Sequence, residues 1–269
     1  MRLKSVLYNS AVAVFAAIVL LPVIAMFIGS FQHIYLFRLS FSKLTFENYM
    51  FFIKNPNVLY YLGNSAFVVG IGVALTTAVT VVTAYALRDS RQTGRSHWFY
   101  TVLLLGMAIP RQVLYLPLYV LINRAGFGEL WAAILPSVFV PTGVIMAKAA
   151  IDYVPQSIID QARLDTKAEW QAVWYIVFPI IKPLMLFIAV GTTTYYFTDV
   201  IWQNLVCQTR PTLLIGMYRM MITANYAGAG NMITDIGKQF AASVIIFMPV
   251  FIVFVFGNKY MLKDFKIKF

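Results

Sequence analysis

In a chain that is 61% hydrophobic and only 12% charged, the residues able to do polar chemistry stand out by their placement. Arg111 lies inside an apolar segment, where an ionisable side chain is costly enough to mark a functional-site hypothesis. A guanidinium there can meet an acidic group on a ligand. It can also pair with Asp199 or reach toward the outer surface along its apolar stem. Tyr195, Tyr196, Asp199, Trp202 and Gln203 form a second group near the end of another apolar run. Aromatic faces beside hydrogen-bonding side chains suit a sugar ring, whose C–H faces stack while its hydroxyls need partners. Aromatic residues at a membrane boundary serve equally well as a belt at headgroup level. Tyr115, Tyr119 and Asn204 are further candidates for the same path.

Covalent chemistry has little to work with. Cys207 is the single cysteine, which excludes an intrachain disulfide, and His33 and His97 are too few and too far apart for a metal cluster. No pair of carboxylates and no nucleophile with a nearby base falls within the apolar segments, so an enzyme is not expected. No Gly-x-x-x-x-Gly-Lys-Ser/Thr phosphate loop is present, so an ATP-driven process would need another subunit to hydrolyse the nucleotide.

These residues must be positioned by elements suited to lipid. A hydrocarbon core about 30 Å thick requires roughly 20 apolar residues per helix, and several segments reach that length without an internal charge. Continuous apolar runs without period-2 alternation exclude a barrel. The chain therefore reads as an all-α integral membrane protein of about six spans, near Val6–Phe31, Tyr61–Leu87, Trp98–Tyr119, Leu130–Ala147, Val173–Val200 and Ala241–Phe256. The first run exceeds a typical signal-peptide core and reads as a retained anchor. Prolines 110, 136, 141, 179 and 183 interrupt the spans and imply packing in a bundle that satisfies freed carbonyls. The expected division is residues 1–57, a first helix with an external segment, and residues 58–269, a five-helix core.

The net charge of +11 gathers at span ends. Arg2, Lys4, Arg88, Arg91, Arg95, Lys148, Arg163, Lys167, Lys182 and Lys259 fall on one face for an even span count. Arg38, Lys43, Lys54, Arg124, Arg210, Arg219 and Lys238 fall opposite. The positive-inside rule puts the first face, and both termini, in the cytoplasm. The basic end from Lys263 to Phe269 suits anionic lipid headgroups; nucleic acid is not an expected partner.

Residues 152–175 form a mixed polar break between apolar runs. Pro155 suits a first helical turn, and Ile158, Ile159, Ala162 and Arg163 continue it with a narrow apolar stripe. Thr166-Lys167-Ala168-Glu169 has capping-box spacing, which places Thr166 at the start of a second helix. Such a short amphipathic helix can seat its stripe in a partner's groove; an ordinary interfacial helix has the same pattern.

The stretch DQARLDTKAEWQAVWYIVFPIIKP from Asp160 to Pro183 resembles the cytoplasmic EAA loop of ABC importer permeases. Ala162, Asp165, Pro179 and Pro183 match in register. Asp160 and Gln161 replace Glu-Ala, and Thr166-Lys167 replaces Gly-Ala, which removes the family's glycine. Leu44-Thr45-Phe46-Glu47-Asn48-Tyr49, Asn64-Ser65, Ala84-Tyr85-Ala86-Leu87-Arg88, Ile109-Pro110, Leu116-Pro117-Leu118-Tyr119, Ile134-Leu135-Pro136 and Met248-Pro249 extend the likeness toward the carbohydrate-uptake, maltose-type branch. The resemblance implies a type I importer permease in the bacterial cytoplasmic membrane. It implies as partners a homologous second permease, two ATP-binding subunits holding ATP and Mg, and an extracytoplasmic solute-binding protein. ATPase coupling would then fall to Asp160, Gln161, Ala162, Arg163, Asp165, Thr166, Lys167 and Glu169. The implied cargo is a saccharide, with an acidic one suggested by Arg111. A permease for a phosphorylated polyol or peptide would keep the same loop, whereas an ion-driven transporter fits poorly with nearly charge-free spans.

Overall fold

A computed structural model describes residues 2–34, 44–89, 96–227 and 235–264, and every regular element among them is helical. Arg38, Lys43, Arg91, Arg95 and the end of the basic tail from Phe265 to Phe269 lie outside the described residues. The helices are α1 (Arg2–Ser30), α2 (Glu47–Ile53), α3 (Asn57–Asp89), α4 (Ser96–Ala108), α5 (Arg111–Arg124), α6 (Glu129–Ile134) and α7 (Pro141–Asp152). They continue with α8 (Gln156–Asp165), α9 (Glu169–Ala172), α10 (Phe178–Thr198), α11 (Val200–Val206), α12 (Leu213–Ala227) and α13 (Ile236–Asp264). A π turn, Val173–Val177, joins α9 to α10.

Four helical stretches are long and apolar enough to cross a bilayer: Tyr8–Ser30, Asn57–Arg88, Glu169–Thr198 and Ile236–Lys259. The expected third and fourth spans are instead bent pairs, α4 with α5 at 100° and α6 with α7 at 48°. Proline sets both breaks. Val140 is extended just before Pro141, because a proline ring disfavours helical backbone in the residue before it, and Pro110, itself extended at the entry to α5, supplies no amide to the preceding turn.

Hydrogen bonds decide how often these pairs cross. Asn64 Nδ2, near the start of α3, donates to the Pro211 carbonyl at 3.0 Å. The Glu129 carboxylate accepts from Thr209 N, Thr209 Oγ1 and Arg210 N at 2.7–3.0 Å. At the other end of α3, Arg88 donates to the carbonyls of Ile151 and Val154. Glu129 is thus level with the start of α3 and Ile151 with its end, so the α6–α7 pair makes one net crossing. With the four continuous spans this gives up to six by length and composition.

The chain forms two compact units, Met1–Tyr60 with Leu213–Pro249, and Tyr61–Thr212 with Val250–Phe269. Each unit draws on two separate stretches of sequence. In the second unit Val81, Ala84 and Leu87 of α3 pack with Val144, Ala147 and Ile151 of α7 and with Ile181, Met185 and Ile188 of α10. These are helical stripes at spacings of three and four, the pattern of one buried face per helix. Gly72 brings α3 so close to α10 that a Cβ would stand 2.6 Å from the Tyr196 ring. By contrast, the apolar window of α1 has none of its residues buried by the chain itself. A surface of that composition must face lipid or another protein.

The first unit is closed by a polar knot. Asn48, fully buried, donates to the carbonyls of Ser30 and Gln32 at 3.1 and 2.8 Å. Gly237 packs directly beneath, where a Cβ would lie 1.7 Å from the Gln32 carbonyl oxygen. No side chain fits that space, which explains a glycine in the first turn of α13 despite its poor helix propensity.

Candidate functional site

The break before α5 puts Arg111 in the first turn of that helix, with its guanidinium 4.7 Å from the centre of the Tyr195 ring. The Tyr195 hydroxyl donates to Asp199 Oδ2 at 2.8 Å and lies 3.2 Å from Ser137 Oγ. Tyr115 reaches the same place by stacking on Trp202 at 5.3 Å. Arg111, Tyr115, Tyr195 and Asp199 therefore form one cluster, half-buried at the arginine and the tyrosines. Among the described residues Arg111 makes no ion pair with Asp199; its guanidinium lies over the Tyr195 ring and near enough to Tyr115 and Tyr196 to interact with them electrostatically. Five guanidinium N–H donors are left for something else.

The other members of the sequence group do structural work. Tyr196 and Trp202 are 2% and 1% exposed and donate to the carbonyls of Ile134 and Ala132. Gln203 donates to the Tyr196 carbonyl and accepts from Thr212 Oγ1. Asp199 Oδ1 accepts from Trp202 N and caps α11. These bonds tie α6 to α10 and α11 at the 3₁₀ turn Leu135–Ser137, which follows α6. Residue type alone could not separate Tyr195, whose ring carries a cation, from its neighbour Tyr196, which is walled in.

The second candidate region is residues 152–175. Arg88 fastens its start: Nη1 donates to Ile151 O at 2.5 Å and Nη2 to Val154 O at 2.6 Å and Gln156 Oε1 at 3.3 Å. The Ile151 carbonyl also accepts from Val154 N at 3.0 Å, and an arginine supplies the planar array of donors to reach both carbonyls and the Gln156 amide oxygen at once. In the sequence Arg88 reads only as a flanking charge; nothing local signals its distant partners.

Two expectations for this loop are corrected. The capping box does not form. Ala168, not Thr166, stands at the entry to α9, without a side-chain bond, and Thr166 Oγ1 donates back to Ala162 O at 2.7 Å. Thr166 thus closes α8, in extended backbone at φ −114°, so the missing glycine costs no left-handed strain. Glu169 pairs with Arg163 at 3.3 Å, and Gln171 Oε1 accepts from Lys167 N. The apolar stripe of α8 also turns inward. Ile159 and Ala162 are buried, and Ile159 packs with Val173 and Val177 in the chain's own core. The outward face carries Asp160, Gln161, Asp165 and Lys167 together with two apolar side chains, Ile158 at 38% and Leu164 at 85% exposed.

Residues 89–266, which include this loop and the polar cluster, match the family described as "Binding-protein-dependent transport system inner membrane component". The chain belongs to that family. Its members are multi-pass components of the inner membrane that serve transport with a binding protein, rather than enzymes. The permease resembles the lactose transport system permease protein LacG of Rhizobium radiobacter, at 24% identity over 94% of this chain and 92% of the relative. It also resembles the arabinooligosaccharides permease AraQ of Halalkalibacterium halodurans, at 25% identity over 81% and 77%. A solved bacterial ABC transporter "involved in the import of the acidic polysaccharide alginate" contains a chain of the same fold, with TM-score 0.69 and 14% identity over 98% of the permease and 96% of that chain.

Proposed function

We propose that this permease is one of two homologous membrane subunits of an ATP-driven importer for a saccharide, and that the saccharide is acidic. The observation that carries the acidic reading is Arg111, whose guanidinium is held over Tyr195 by a cation–π contact and makes no ion pair. A uronate-type carboxylate fits such a donor bidentately, while Tyr115 and Tyr195 offer ring faces to the sugar. The names of the lactose and arabinooligosaccharide permeases and of the alginate transporter support a sugar cargo.

The two ATP-binding subunits, which hold ATP and Mg, dock on the outward face of α8 in this reading, with Asp160, Gln161, Asp165, Lys167 and the exposed Leu164 as contacts. Arg163, Thr166 and Glu169 hold the lever's shape. The face carrying α8 is cytoplasmic, the solute-binding protein meets the opposite face, and lipid or the second permease covers α1.

The test is ATP hydrolysis by the complete complex in lipid, with its binding protein, across neutral and acidic oligosaccharides. Stimulation by acidic oligosaccharides is the expected result. Stimulation by neutral sugars alone would sink the role given to Arg111. Absence of stimulation by any saccharide in an assembled, ATP-hydrolysing complex would favour a permease for another solute.

A further inference from the structure

We propose that His33 is a proton-operated clasp, which as an imidazolium ties Glu47 on α2 to Asp235 at the start of α13 and on losing its proton releases Glu47. The geometry lies wholly within the first unit. Nδ1 of His33 is 3.0 Å from Asp235 Oδ2, and Nε2 is 3.0 Å from Glu47 Oε2. A carboxylate oxygen can only accept, and a neutral imidazole carries one N–H. Two contacts at hydrogen-bond distance to two carboxylates therefore require a doubly protonated ring. The position agrees: hydrogen bonding to Asp235, opposed by burial and reinforced by Glu47, raises the His33 pKa above its ordinary 6.5.

The two arms are unequal. Asp235 is 7% exposed and is also bound by the Gly237 amide at 3.0 Å, whereas the Glu47 side chain is 77% exposed. Leaving a buried carboxylate without its donor costs more than returning an exposed one to water. The single proton of neutral His33 therefore stays on Nδ1, facing Asp235. The Nε2 lone pair then points at Glu47, which swings away. Lys238 also stands on this site, 3.9 Å from the same Asp235 oxygen and over the Phe51 ring, and Lys54 lines the same open pocket as Glu47. Lys238 helps to neutralise Asp235 once His33 is uncharged.

Because the folded pKa lies above the unfolded value, the clasp is fully formed below pH 6.5 and is lost as pH rises through the folded pKa. The rest of α2 stays anchored through Asn48, so the release is confined to its first turn. On the orientation proposed above, this end of the molecule faces the cell's surroundings, and the permease would sense external alkalinity there.

The experiment is ¹⁵N magnetic resonance of the histidines in the intact permease in lipid, where only His33 and His97 give signals. His33→Gln assigns the peak. The expected result is a ring with both nitrogens protonated at neutral pH, a pKa above 6.5, and a downward shift in Glu47→Gln. A nitroxide at Leu44→Cys in a Cys207→Ser background should become more mobile with rising pH, and pH-insensitive in His33→Gln. A pKa at or below 6.5, a pKa unmoved by Glu47→Gln, or label mobility independent of pH would each overturn the proposal.

Discussion

Arg88 Nη1 donates to the Ile151 carbonyl at 2.5 Å across 63 positions of sequence, fastening the end of α3 to the last turn of α7, just before α8. Hydrogen bonds from a charged donor contribute about 1.5–3 kcal/mol each. Arg88→Ala should cut uptake at least tenfold in proteoliposomes while the complex still assembles and hydrolyses ATP. Arg88→Lys, which keeps the charge but not the fork, should recover only part of it. Equal loss of ATP hydrolysis and uptake in both variants would mean that Arg88 merely holds the fold.

Gly237 and Gly70 should respond oppositely to alanine. At Gly237 a Cβ meets the Gln32 backbone at 1.7 Å, while Gly70 has nothing within 4 Å. Overpacking of this kind costs on the order of 1–3 kcal/mol, so Gly237→Ala should lower the midpoint of thermal unfolding by several degrees. Gly70→Ala, in the interior of a helix, should be neutral or add about 0.5–1 kcal/mol. Matching midpoints for the two variants would contradict this packing.

Trp202→Phe removes the indole donor from the Ala132 carbonyl, a buried bond of 3.0 Å. A loss of about 1–3 kcal/mol follows from the unsatisfied carbonyl, with substrate preference unchanged. Arg111→Gln should do the reverse, leaving the unfolding midpoint in place and removing the preference for acidic over neutral saccharides in transport.

Thr166→Gly should bring no gain, although it restores the residue usual at this point of the loop. The backbone there is extended at φ −114°, and the substitution deletes the hydroxyl bond to Ala162. The expected result is reduced coupling, read as uptake per ATP hydrolysed, with Thr166→Ser close to wild type. Higher coupling in the glycine variant would show that the left-handed ending is the functional one.

Much of this architecture is written in hydropathy. The spans and the polar break at 152–175 follow from where apolar runs begin and stop. The 100° break at Pro110 was visible as a proline but not as an angle, since a proline can kink a helix or end it. Thr166 shows a different limit. Its hydroxyl can close the helix behind it or open the one ahead, and Thr-x-x-Glu spacing is compatible with both. Tyr195 and Tyr196 are identical as letters, and only the packing of Gly72 on the second decides which is walled in. Asn48 with Gln32, and His33 between Glu47 and Asp235, are distant pairings that no local pattern announces.

The π turn between α9 and α10 has a mechanical meaning. Its closing bond runs from the Phe178 amide to the Val173 carbonyl, one residue wider than an α-helical turn. Pro179 and Pro183 then withhold two more amides from the winding that follows. This joint is compliant, whereas the arginine fork at the other end of the loop is a stiff strut. In the docking role proposed for α8, a load on it meets the stiff strut toward α3, while toward α10 it meets the yielding joint and the packing of Ile159 on Val173 and Val177.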